Sequence, residues 1–175
     1  ERILPGLIRS KVSSNDQRSL QLVAEETLPP GLAIIDAPDV DSVVEQNRAL
    51  AGQLLQAADL WLFVTSAARY ADAVPWDFLR SAVERRAAVA VVLNRVPPAA
   101  MQDVPAHLGL MMTQRGLADS PLFAGPETVT DEHGLLPDSA VSPVRSWLAT
   151  LAADQQARQD VVLQTLDGAV ANLAL

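Results

Sequence analysis

The sequence predicts a three-layer α/β domain with a mainly parallel sheet and one antiparallel strand pair near the N-terminus. Three observations carry that expectation. Short continuous apolar runs, "DLWLFVT" (59–65) and "AAVAVVLN" (87–94), alternate with segments of helical period, as expected of strands covered on both faces. Two earlier runs, "LQLVA" (20–24) and "GLAIID" (31–36), are separated only by "EETLPP". That link is too short for a crossover helix, so the pair is expected to run antiparallel. Finally, 175 residues, 49% hydrophobic and 19% charged, suit one domain with a real core, spanning 1–175.

The elements follow in order. Residues 1–19 are polar and irregular, with "SKVSSNDQRS" (10–19) reading as a loop. After the two N-terminal strands, "SVVEQNRALAGQLLQAA" (42–58) has apolar or small residues at Val44, Ala51, Leu54, Leu55 and Ala58, a helical stripe. Ser42 and Glu45 have the spacing of a capping box. In "PWDFLRSAVERR" (75–86), Pro75 suits a first helical position, and Trp76, Leu79 and Val83 share a face. The segment 97–116 reads as helical, with Pro105 expected to kink or divide it, and "PLFAG" (121–125) as a short strand. One or two helices close the chain over 139–174, with Val162, Leu166, Val170 and Leu173 on one side.

Composition excludes several classes of function. Against 13 Lys+Arg stand 21 Asp+Glu, a net charge of −8 at neutral pH that repels phosphate backbones and anionic lipid. No nucleic-acid partner and no direct membrane insertion are expected, since no stretch approaches the roughly 20 apolar residues of a span. Cysteine is absent, so disulfides and thiolate metal sites are excluded. The opening "ERILPGLIRSK" lacks the apolar middle of a signal peptide, and a cytoplasmic location is expected.

Ligands of parallel α/β sheets collect at the carboxyl ends of the strands, which singles out the positions after Asp36, Thr65 and Asn94. At the first, "LAIIDAPDVDS" (32–42) runs from an apolar stretch into Asp36, Asp39 and Asp41. A carboxylate at a strand tip can hold Mg²⁺ that neutralises nucleotide phosphates. Aspartates also favour turns and caps, so a purely structural reading stands beside it. At the third, "VVLNRVPP" ends in an amide that can pair with a purine edge, then an arginine whose stem can lie along a base, although Pro97-Pro98 also suits a plain turn.

Together these motifs resemble, in their order along the chain, a P-loop GTPase domain, particularly the dynamin-like bacterial branch, over about 20–127. The resemblance implies that Asp36 is the metal-linked aspartate of the Asp-x-x-Gly motif, with Pro38 the proline that dynamin-like members often carry. Asp39 and Asp41 would lie on the switch loop. Asn94 would contact the base, with Arg95 replacing the lysine that packs on it. The implied cofactors are Mg²⁺ and GTP or GDP. Glu127 falls where that family's fifth, base-backing loop lies. The chain departs from the pattern at Asp39, where the family has glycine, and at Pro97, where it has the aspartate that reads guanine. Guanine preference therefore has no visible basis. No Gly-x-x-x-x-Gly-Lys-Ser/Thr occurs, and the only lysine is Lys11, so the triphosphate has no cradle.

The expectation is a GTPase-like nucleotide-binding domain lacking its first strand and phosphate loop, and not hydrolytically competent as this chain. It is either part of a longer GTPase or a degenerate relative. A missing central strand would expose backbone edges, so self-association or a partner is expected at the sheet edge or the C-terminal helix. The competing class is a non-catalytic protein-interaction module on a degenerate GTPase fold. A third is an ATP-dependent dethiobiotin-synthetase-like P-loop protein, whose strand end "VLNRV" resembles, but whose sheet is largely parallel. Among the remaining residues, His107 reads as a helix-surface residue and His133 lacks any nearby ligand pair. Arg69 and Tyr70, after the 59–65 run, could touch a ligand or subunit, or form a solvated loop anchored by Trp76. Trp61 reads as core and Trp147 as the buried face of a helix.

Overall fold

The computed structural model describes residues 4, 6–14, 16 and 18–173. The chain divides into two compact units, 1–58 and 59–175.

In the first unit, β1 (Ile8–Ser10) and β2 (Ser19–Gln21) pair parallel, with Ile8 opposite Ser19. The expected antiparallel pair does not form. The segment 32–39 carries no strand, and Ile34 and Ile35 remain 57% and 37% exposed. The physical reason lies in the turn that precedes it. Pro29 and Pro30 have no N–H to give a ladder, Gly31 is left-handed (φ 87°), and Leu32 N–H donates to the Pro29 carbonyl at 3.1 Å. This turn takes up the first residues of the expected strand, and the remainder, 33–36, pairs with no strand among the described residues. Helix α1 (Glu45–Ala57) follows, burying Ala51 and Leu54. The capping box is not made: α1 begins after Val44 with no side-chain cap, and the Ser42 hydroxyl accepts instead from Val44 N–H at 3.2 Å.

The second unit is a parallel sheet of β3 (Leu60–Ser66), β4 (Ala88–Val96) and β5 (Leu122–Pro126), in spatial order β3-β4-β5. Helices α2 (Ala73–Glu84) and α3 (Asp103–Gln114) make the two crossovers. β4 is the middle strand, and Ala88 to Val91 and Leu93 are all buried, which accounts for its unbroken apolar run. Trp76, Leu79 and Ala82 of α2, and Leu108, Met111 and Met112 of α3, are buried as well. Each buried Val, Leu or Met side chain among them contributes about 1.5–3 kcal/mol through its removal from water.

Both crossover helices stop by the same device. At the end of α3, Gly116 is left-handed (φ 82°); its N–H donates to Thr113 and that of buried Leu117 to Met112, a Schellman cap. At the end of α2, Arg86 N–H donates to Val83 and Ala87 N–H to Ala82 in the same pattern, but the left-handed residue is Arg86 (φ 53°). Pro105 does not divide α3: it is that helix's third residue, within the first turn, where its N–H is not needed. A short 3-10 turn, Pro98–Ala100, precedes α3.

Helices α4 (Asp138–Ala153) and α5 (Gln155–Leu173) close the chain. Pro143 lies inside α4; the Ser139 carbonyl that it cannot serve is met, weakly, by the Ser142 hydroxyl at 3.5 Å. Trp147 of α4 meets Phe123 of β5 at 5.5 Å between ring centres. In α5, a Cβ at buried Gly168 would lie 1.7 Å from the Arg85 carbonyl oxygen, so only glycine permits this approach. Among the described residues no helix is long and apolar enough to cross a membrane.

Candidate functional site at the carboxyl edge of the second sheet

The clearest departure from regular structure in the second unit lies at the carboxyl end of β4. Register with β5 shifts between Leu93 and Val96, a bulge that contains Asn94 and Arg95. Arg95 is left-handed (φ 54°), a conformation that costs a side-chain-bearing residue about 1–2 kcal/mol. The Asn94 side-chain oxygen accepts the Arg95 N–H at 2.8 Å and so holds the bulge. The strand does not end at Asn94 as its sequence suggests, but resumes through buried Val96, opposite Pro126. Half-buried Asn94 and exposed Arg95 are thereby set at the rim of the sheet.

Neighbouring strand ends complete the rim. From the loop after β3, Ala67 N–H donates to the Asn94 carbonyl at 3.0 Å. From β5, Gly125 lies against the Asn94 side chain: a Cβ there would sit 3.8 Å from Asn94 Oδ1. Glu127 N–H donates to the Val96 carbonyl at 2.8 Å, extending the β4–β5 ladder one step beyond the strand.

The loop after β3 is anchored as expected by Trp76, whose indole N–H donates to the Tyr70 carbonyl at 2.8 Å. Arg115 lies over the Trp76 ring at 4.3 Å. Arg69 pairs with Asp72 at 3.1 Å. The Tyr70 hydroxyl is 2.8 Å from Nδ1 of His107, an exposed residue of α3, and the rings meet edge to face. Sequence spacing gave no hint of this pair, since the partners are 37 residues apart. The usable signal is that each follows a strand of a parallel sheet, and both therefore return to its carboxyl side.

The acidic candidates lie in the first unit. Asp36 is exposed on irregular backbone and not at a strand tip, because the strand expected before it is absent. Asp39 and Asp41 share the turn closed by Ser42 N–H donating to the Asp39 carbonyl at 3.1 Å. No group of three His, Cys, Asp or Glu able to hold a metal ion occurs among the described residues. His133 is exposed, in a turn where Asp131 accepts its N–H at 2.9 Å.

No protein-family model, curated protein or solved structure matches this chain.

Proposed function

We propose that this chain is a GTPase-like, nucleotide-binding domain or part of a larger cytoplasmic GTPase of dynamin-like type. Asn94 and Arg95 hold a purine at the carboxyl edge of β4. The observation that carries this reading is the bulge: a left-handed arginine and a half-buried asparagine are kept at the rim of a parallel sheet, at a cost in backbone energy. In this reading the nucleotide is GTP or GDP and brings its own Mg²⁺. The sequence contains no phosphate-binding glycine-lysine loop, so binding without turnover is expected of this chain.

Calorimetry with GDP, GTP and ATP in the presence of Mg²⁺ tests the proposal. Asn94→Ala should weaken binding by roughly tenfold to a hundredfold, the usual worth of a good side-chain pair to a base edge. No heat with any of the three nucleotides would overturn the reading.

A second reading, a protein-interaction module, is favoured by the outer edge of β3. Among the described residues β3 pairs only with β4, and Val64 is 60% exposed. Such an edge invites another strand. Concentration-dependent sedimentation, abolished by Val64→Lys, would support it.

A further inference from the structure

We propose that the outer edge of β3 pairs with the same edge of a second copy of this chain, antiparallel and centred on Phe63. The proposal names the partner for the protein-interaction reading above and rests on it; it does not depend on the nucleotide.

The register of the sheet tells which backbone groups that edge offers. In a parallel ladder a residue bonds the two neighbours of the residue it faces. Asn94 faces Ser66, and its carbonyl accepts from the N–H of Ala67, the next residue along. Alternation along β4 turns Ala90 and Val92 toward β3 as well, where they face Leu62 and Val64. Their bonds therefore go to Trp61, Phe63 and Thr65, and the N–H and C=O groups of Leu62 and Val64 point away from β4. Among the described residues nothing bonds those groups. The carboxyl end of the edge is closed, because the Ser66 carbonyl accepts from Arg69 and Tyr70 N–H at 3.0 and 2.9 Å.

The side chains fit a second copy. Open edges of natural sheets carry lysine, proline or an inward-pointing charge against such pairing. Across its 7 residues, LWLFVTS, β3 carries none of these. In an antiparallel pair centred on Phe63, Leu62 faces Val64 of the second copy, and the two exchange both N–H···O bonds. Trp61 then faces Thr65, and Asp59, the nearest charge before the strand, faces Ala67. Val64, 60% exposed in the single chain, gains an apolar partner in Leu62. Charge favours this stretch as well. Each copy carries a net charge of −8, so two copies repel unless they meet where carboxylates are absent. Such a two-fold pair occupies both β3 edges and stops at two chains.

The test uses the full chain. Sedimentation should show a monomer passing to a dimer with a Kd of roughly 10–1000 μM, the weak end that suits so short an edge. The amides of Leu62 and Val64 should exchange freely in dilute solution and slow by roughly fourfold or more once the dimer dominates. Those of Trp61 and Phe63, bonded to β4, should be protected throughout. Higher salt should tighten the dimer by screening the two net charges. Cross-linking reads the register separately, since the chain has no cysteine of its own. A mixture of the Leu62→Cys and Val64→Cys proteins should oxidise to a mixed disulfide. Either protein alone sets its two thiol positions on a diagonal, about 7–8 Å apart and too far to bridge without backbone movement. Association that loosens with salt, leaves Leu62 and Val64 exchanging freely, or cross-links each variant alone as readily as the mixture would overturn the inference and leave the interaction reading standing. A chain that stays monomeric at every concentration would remove that reading, and the inference with it.

Discussion

The two units treat apolar sequence in opposite ways. In 59–175 the runs at β3 and β4 become neighbouring strands, and Leu93 at the centre is fully buried. In 1–58 the equally apolar "LAII" before Asp36 forms no strand, and two of its residues are well exposed. Hydrophobicity is similar, but the supply of backbone partners differs. β4 has a parallel neighbour on each side, whereas the earlier run leaves a turn between two prolines and a left-handed glycine. An apolar run becomes a strand only where its N–H and C=O groups are met.

The largest expected effect tests this contrast directly. Leu93→Ala should destabilise the second unit by about 2–5 kcal/mol, as deletion of a fully buried leucine does. Ile34→Ala should cost less than about 0.5 kcal/mol. All three tryptophans belong to the second unit, so guanidinium unfolding followed by tryptophan fluorescence reads Leu93→Ala, and far-UV circular dichroism, to which both units contribute, reads Ile34→Ala. An Ile34→Ala shift as large as that of Leu93→Ala would break the comparison.

Glycines sharpen it next. Gly168→Ala would place a methyl carbon against the Arg85 carbonyl, a backbone atom that cannot swing away, and should cost about 1–3 kcal/mol with loosening of α5. Gly52→Ala in α1 meets nothing within 4 Å and should stabilise that helix by about 0.5–1 kcal/mol. Hydrogen exchange of the two helices would move in opposite directions. Smaller still, Arg86→Gly should relieve the left-handed cap of α2 and raise the tryptophan-monitored midpoint by the equivalent of up to about 1 kcal/mol.

The smallest effect is local to the first unit. The Thr27 hydroxyl and N–H both donate to the exposed Glu25 carboxylate, and this lowers the Glu25 pKa. A lowered carboxyl pKa contributes stability above the ordinary glutamate range, and that contribution is lost as pH falls through the lowered value. Carboxyl-detected NMR titration should show Glu25 moving most of the way back to its ordinary value in Thr27→Val.

Much of the second unit was legible because its signals are redundant. Continuous apolar runs marked β3 and β4, the stripe of Trp76, Leu79 and Val83 marked α2, and the alternation of strands with helices implied a parallel sheet. Proline positions were less informative: Pro105 is harmless because α3 starts only two residues before it. In the first unit the expected antiparallel pair rested on apolar runs and a short link, and missed the turn at Pro29–Leu32. At the candidate site, Asn94 and Arg95 were visible as residue types after an apolar run. Their bulge was not, because the strand continues past them to Val96, and the left-handed residue is an arginine and not the glycine that usually marks one. Gly125 and Glu127 gain meaning only from a register between β4 and β5, which no local pattern encodes.

The account stands or falls on whether the rim at the end of β4 holds a nucleotide. Amide NMR spectra of the full chain, recorded with increasing GDP and Mg²⁺, address this residue by residue. The account predicts saturable shifts concentrated at Asn94, Arg95, Gly125 and Glu127, with the amides of α5 unmoved. Spectra in which those four amides stay fixed at saturating GDP would contradict it.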